Sequence, residues 1–296
     1  MILKGRKHYI VAVIVLVTGI ILFICGSRYF SKRHPFSLVK SIQYQYALQN
    51  LSGHALKAVR FYALAPIKQT SFQLCQDIQV SHPFEIQTDD GGHQYLRVTF
   101  DTLPPYATKI VTLQAKLTLS SYKPKDTKQN LKSYLKSEPY IESDHPFIVK
   151  TAQKLKAHKP IKTAENIFNW VASHMTYAGY TKNARGALYA YQHQKGDCTE
   201  YMHLFIALCR ANQIPARGIA GYVLATSRKV KPGEYHNWAE FFDGGRWQIA
   251  DPQKKKFMQD EQNYIAMRIL QPTPAAPIEP FKRFKVDQKE VKVKMN

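Results

Sequence analysis

Apolar residues alternate with polar ones through most of residues 37–120. Ile42, Tyr44, Tyr46 and Leu48 hold a period of two, as do Phe72, Leu74, Ile78 and Val80. Leu96, Val98 and Phe100 continue it, and so do Val111, Leu113, Ala115, Leu117 and Leu119. One apolar face per segment predicts half-buried antiparallel strands. Turn signals separate them at Asn50 to Gly53, Asp89-Asp90-Gly91-Gly92 and Leu103-Pro104-Pro105. The pattern predicts an all-β sandwich of about six or seven strands. The period then changes. Asp144 can cap a helix beginning near Pro146, and Thr163 a second one carrying Ala164, Ile167, Trp170 and Val171 on one stripe. Tyr201, Leu204, Phe205, Leu208 and Ala211 place a third helix over Thr199 to Asn212, which Ile214-Pro215 stops. Strands return at Ile219 to Leu224, His236 to Phe242 and Arg246 to Ala250, and the tail Phe284 to Met295 alternates enough for a last one. Helices followed by strands predict an α+β domain.

The first residues add a membrane question. Residues 1–8 are short and basic, and residues 9–26 are almost wholly apolar, long enough to cross a hydrocarbon core of about 30 Å. Cys25-Gly26-Ser27-Arg28 lacks a clean small-x-small cleavage site, so an uncleaved signal-anchor is the preferred reading over a cleaved signal peptide or a buried helix. A short basic N-terminus kept in the cytoplasm would put the bulk of the chain on the extracytoplasmic side. The expected order is an anchor at 9–26, a basic stalk at 27–36, the sandwich at 37–120, a lysine-rich linker at 121–138 and the α+β domain at 139–296.

Lys and Arg outnumber Asp and Glu by 42 to 21, a formal charge of +21. That favours anionic partners such as an envelope polymer or anionic lipid, beside the plainer reading of a solvated basic surface. The lysines are dispersed and no nucleic-acid motif appears, which argues against a nucleic-acid binder. Of four cysteines, no pair has zinc-ligand spacing or suggests a disulfide framework. Cys75 lies in a strand-like segment on the face opposite Leu74, and Cys209 sits mid-helix as a core residue.

Cys198 differs, because it follows Gly196-Asp197 at a helix start. The N-terminal end of a helix carries partial positive charge and free N–H groups, which favour a thiolate and can hold an oxyanion. His236 and Asp251 fall at the two ends of a predicted hairpin. A two-residue turn at Asp243-Gly244 would put them directly opposite, and a three-residue turn would put Asn237 opposite Asp251 with His236 on the diagonal. Either register suits a carboxylate that orients an imidazole. His193 and His203 flank Cys198 without ligand spacing, so no metal is expected. Glu240 is a candidate partner for a lysine or arginine. Trp238 and Trp247 read as packing residues, and Tyr177 and Tyr180 are speculative oxyanion donors.

These residues carry a resemblance. Gly196-Asp197-Cys198-Thr199-Glu200, Ala207 to Arg217 ending in Ile214-Pro215-Ala216-Arg217, His236-Asn237-Trp238-Ala239-Glu240 and Trp247-Gln248-Ile249-Ala250-Asp251-Pro252 resemble the transglutaminase-like superfamily across roughly Pro139 to Pro252. The family pattern is GDC, R-x-x-GIPAR, HAW-x-E and W-x-x-x-DP; here Asn237 follows the histidine and Gln213 stands where glycine is usual. The resemblance implies a papain-like core with Cys198 as nucleophile, His236 as general base and acid, and Asp251 as orienting carboxylate. It implies a protein or peptide substrate, a peptidase, amidase or cross-linking acyl transfer, and no cofactor. A catalytically silent scaffold or envelope-binding module on the same fold is the alternative.

Overall fold

The computed structural model describes residues 38–120, 131–270, 276–279 and 281–296. The expected anchor at 9–26, the stalk and most of the linker lie outside the described residues. Among the described residues no helix is long and apolar enough to cross a membrane.

Residues 38–119 form strands β1 (Leu38–Asn50), β2 (Leu56–Ala65), β3 (Gln73–Val80), β4 (Phe84–Thr88), β5 (Gln94–Leu103) and β6 (Thr108–Leu119). β1, β6 and β3 share one sheet and β2, β5 and β4 the other. The apolar rows read from the sequence face each other across a common core that includes Ile42, Tyr44, Tyr46, Phe61, Leu96, Val98, Leu113 and Leu117. β3 departs from simple alternation. Its pairing with β6 slips between Cys75 and Asp77, a bulge that leaves Gln76 unopposed. Cys75 therefore joins the core together with the inward-facing Gln73, and Leu74 is only half-buried. Burial pushes the Cys75 thiol up from its ordinary value.

The second body begins with a short 3-10 turn, Leu131–Leu135, whose Tyr134 packs edge-on against Trp247. Part of the expected linker is thus packed structure. Helices follow: α1 (Pro146–Leu155), α2 (Pro160–His174), α3 (Gly186–His193) and α4 (Cys198–Ala211). His145, rather than Asp144, caps α1 by accepting from Phe147 N, while Asp144 accepts from Ser137. α2 starts at Pro160, three residues ahead of Thr163, whose hydroxyl instead binds Ala157 N at 2.9 Å. Ala164, Ile167 and Val171 are buried, and Trp170 is half-buried, stacked on His174. α3 was not foreseen, since its buried contacts are the small residues Gly186, Ala187 and Ala190.

Strands β9 (Ala216–Val223), β11 (Tyr235–Phe242), β12 (Trp247–Asp251), β13 (Lys256–Phe257) and β14 (Tyr264–Leu270) make a third sheet in the order β13-β12-β11-β9-β14. Two short strands, β7 (Thr176–Tyr177) and β8 (Lys195–Gly196), pair in parallel ahead of α4, and β10 (Arg228–Lys229) runs parallel to β1. The tail forms β15 (Phe284–Val286) and β16 (Val291–Met295). Both leave the body expected over 139–296 and complete the sandwich, β15 on β2 and β16 on β1. Alternation identifies a strand without naming its partner.

α4 is buried nearly all round, from Glu200 to Arg210. A helix buried on nearly every side belongs inside a body, and here it packs with Ala239, Phe241 and Ala250 of the third sheet. Other residues of that sheet, including Tyr222, Ile265 and Met267, join the sandwich core. The sheet is therefore a shared layer between the helices and the sandwich.

Candidate active site

The first turn of α4 is built around its cap. Asp197 takes an extended backbone and accepts from Thr199 N at 2.8 Å, and Glu200 answers by accepting from Asp197 N at 3.0 Å. This reciprocal pair satisfies N–H groups that a helix start leaves open. The other oxygen of Asp197 accepts from Thr181 N at 3.0 Å and its hydroxyl at 3.2 Å. Arg185 reaches Glu200 at 2.9 Å, so the loop ahead of α3 is tied to the same turn. Gly196 is required by space: a Cβ there would sit 2.3 Å from that of Glu200. Together these contacts present Cys198, half-buried, as the first residue of the helix.

His236 lies near the start of β11 and is buried to 7% exposure; Asp251 ends β12 at 1%. Their meeting does not use either expected register. Phe242 pairs with Trp247 and Ala239 with Ala250, so the loop takes residues 243–246. Asp243 stabilises that longer loop by accepting from Gly245 N and Arg246 N, each at 2.9 Å. In this register Asp251 comes level with Trp238, and His236 lies on the diagonal. The imidazole spans that diagonal, with Nε2 donating to Asp251 Oδ2 at 2.6 Å. The Cys198 thiol stands close enough to the imidazole to favour its charged form. Burial opposes the charged imidazole, yet the bonds to Asp251 and Cys198 outweigh it and push its pKa up to about 9.

Asp251 accepts from two further donors: Lys254 N meets Oδ1 at 3.1 Å and the Tyr264 hydroxyl meets Oδ2 at 3.0 Å. Tyr264 carries no motif signal, because its strand is apolar apart from Arg268 and shows no alternation. Asn237 was noted only as a departure from the family pattern. Its amide donates to Thr199 Oγ1 at 2.9 Å, which joins β11 to the turn carrying Cys198.

The other candidates separate. Glu240 pairs with Arg217 in a buried bridge of 2.7 Å, and the guanidinium lies 4.0 Å from the Trp247 ring centroid. Trp238 and Trp247 are both core residues. Tyr177 stands beside Cys198; burial and the Cys198 and Asp197 charges raise its phenol, while Tyr180 projects into solvent at 83% exposure. Cys209 is buried in α4 with its thiol pushed far up by that burial. His203 stacks on Tyr140, and burial lowers it to about 4, which keeps it neutral. Among the described residues no group of three or more His, Cys, Asp or Glu side chains could hold a metal ion. The chemistry available is that of a thiol beside an imidazole that a buried carboxylate orients.

The fold thus places a cysteine at a helix start beside a histidine and an aspartate carried by an antiparallel sheet. Residues 149–252 match the transglutaminase-like superfamily, and the chain carries a transglutaminase-like domain over that stretch. A candidate cysteine protease from Cytophaga hutchinsonii, solved by crystallography, shares the fold with a TM-score of 0.60 at 19% identity, over 88% of this chain and 91% of that one. An uncharacterised protein of Haemophilus influenzae is 32% identical over 124 residues, 39% of this chain and 33% of its own length. Another from Mycobacterium leprae is 29% identical over 97 residues, 31% of this chain and 35% of its own. The chain thus spans about a third of the length of the curated relatives it matches.

Proposed function

We propose that this chain is a cysteine-dependent enzyme acting on amide bonds of a protein or peptide, with Cys198, His236 and Asp251 as its triad. The observation that carries the proposal is the half-buried Cys198 thiol at a helix start beside an imidazole that Asp251 holds at 2.6 Å. His236 takes the thiol proton, and the Cys198 sulfur attacks the amide carbonyl. The N–H of Cys198, which as the first helical residue has no intrahelical acceptor, faces the developing oxyanion. The imidazolium then protonates the departing amine as the C–N bond breaks, leaving a thioester on Cys198. Water resolves it to a carboxylic acid, or a second amine resolves it to a new amide, and in both cases His236 accepts the proton of the attacking group. Asp251 keeps the imidazole in the tautomer this cycle needs.

In this reading residues 9–26 anchor the chain in a membrane, and the bulk of it works on the extracytoplasmic side, where a net charge of +21 suits an anionic envelope surface. A reporter enzyme fused to the C-terminus tests that topology; cytoplasmic reporter activity overturns it. The chemistry is tested with an acyl-type electrophile in the full chain. Wild type is expected to be labelled at Cys198, and Cys198→Ala to lose both label and amide turnover while keeping its fold. A fully active alanine variant, or an unlabelled wild type, rejects the enzyme reading in favour of a scaffold.

A further inference from the structure

Tyr264 takes no part in the chemistry above, yet it bears on both members of the buried pair. Its hydroxyl donates at 3.0 Å to the same Asp251 oxygen that accepts from His236. Its ring meets Trp238 edge-on, centroids 5.1 Å apart, and Trp238 lies stacked against His236. Burial and the nearby carboxylates of Asp251, Asp260 and Glu261 push the phenol far above its ordinary range. The hydroxyl therefore remains a donor at any working pH and does not compete as a base.

The chain around this ring is held from the sandwich. Lys40 of β1 is 3% exposed, and its ammonium donates to Leu224 O at 2.6 Å, Gln262 O at 2.8 Å and Asn263 Oδ1 at 2.8 Å. An ammonium has three protons to give, so this set satisfies it in full. Gln73 of β3, fully buried, accepts from Ala266 N at 2.8 Å and donates to Ala266 O at 3.0 Å. Ile67 N donates to that same carbonyl at 2.9 Å. These bonds grip the backbone just before and just after Tyr264. Burying a lysine and a glutamine is costly unless each polar atom is met, and most of their partners lie in the segment that carries the tyrosine.

We infer that the sandwich positions the reacting pair: Lys40 and Gln73 fix the start of β14, and Tyr264 passes that placement to Asp251 and so to His236. Tyr264 is a positioning residue, since it touches no reacting atom. The inference rests on the Cys198, His236 and Asp251 reading for its functional meaning, but its physical content is measurable without turnover.

The test follows the ring titration of His236 by NMR in the full chain, with His236→Gln assigning the signal. Tyr264→Phe keeps the ring and removes one donor from Asp251, so the carboxylate holds the imidazolium more firmly. The midpoint is expected to rise by about half a unit or more. Lys40→Met is expected to move it the same way by less, and the double variant to give the Tyr264→Phe value and no more. If Lys40→Met does not fold, Asn263→Ala, which alters a half-exposed acceptor of the same lysine, takes its place. A midpoint unmoved in Tyr264→Phe, or a sandwich variant whose effect adds in full to it, overturns the inference. Acyl-probe capture of wild-type Cys198 is scored separately. Capture without a Tyr264 effect leaves the enzyme and removes the positioning network; a Tyr264 effect without capture does the reverse.

Discussion

Asn237 donates its side-chain amide to the hydroxyl of Thr199 at 2.9 Å, so the residue after the histidine holds the residue after the cysteine. The bond spans two elements, β11 and α4, whose relative position sets the distance from imidazole to thiol. Removing it should cost about 1 kcal/mol of that alignment, which corresponds to a loss of roughly fivefold in acyl-probe rate. Asn237→Ala and Thr199→Val are expected to show the same loss, and the double variant no more than either. Additive losses in a stopped-flow labelling series would show that the two side chains act apart.

Asp251→Asn removes the charge that offsets the burial of His236. The imidazole pKa is then expected to fall from about 9 toward or below the ordinary value of about 6.5. If His236 is the proposed base, labelling of Cys198 should slow by roughly 10²-fold or more, because that base loses both its orientation and its charge partner. A ring titration that stays near 9 would contradict the assignment.

The same pair ties stability to pH. His236 has a folded pKa of about 9, above the unfolded value of about 6.5. Its contribution is therefore fully present below about pH 6.5 and is lost as pH rises through about 9. Urea midpoints of wild type and His236→Gln should differ most at the lower pH and converge above pH 9. On the proposed mechanism amide turnover should fall over the same upper range, because the imidazolium that would protonate the leaving amine is consumed. A difference that grows with pH would reverse the assigned sign.

Removing one partner of the buried Arg217–Glu240 bridge takes away the ion pair that offsets the burial of the other charge. Arg217→Met or Glu240→Gln is expected to destabilise the chain by about 3–5 kcal/mol, and replacing both with apolar residues should recover much of that. Chemical denaturation measures it. Losses below about 1 kcal/mol would mean that the bridge is hydrated.

Gly221 lies opposite His236 in the pairing of β9 with β11. A Cβ there would sit 2.0 Å from Ile265 O and 3.0 Å from the Trp238 ring. Gly221→Ala must push β14 away and is expected to cost about 1–3 kcal/mol as overpacking. It should also slow Cys198 labelling, through Trp238 and His236. Unchanged thermal stability would mean that β14 yields freely.

The apolar rows of β1, β5 and β6 were legible because each strand needs only its own alternation to declare an inward face. β3 was misread at Leu74 and Cys75, since a bulge changes which residues share a face without changing the composition. α3 escaped notice because its contacts are glycine and alanine, which leave no amphipathic signature.

A helix start at Gly196-Asp197-Cys198, and His236 and Asp251 at the two ends of a hairpin, were readable from local pattern alone. The diagonal on which they meet, the Asn237 bond to Thr199 and the Tyr264 bond to Asp251 were decided by tertiary structure. So was the return of β15 and β16 to the sandwich. Caps and alternation are local and appear in a window of a few residues. Register and cross-element hydrogen bonds depend on a loop length and on partners tens to hundreds of residues away.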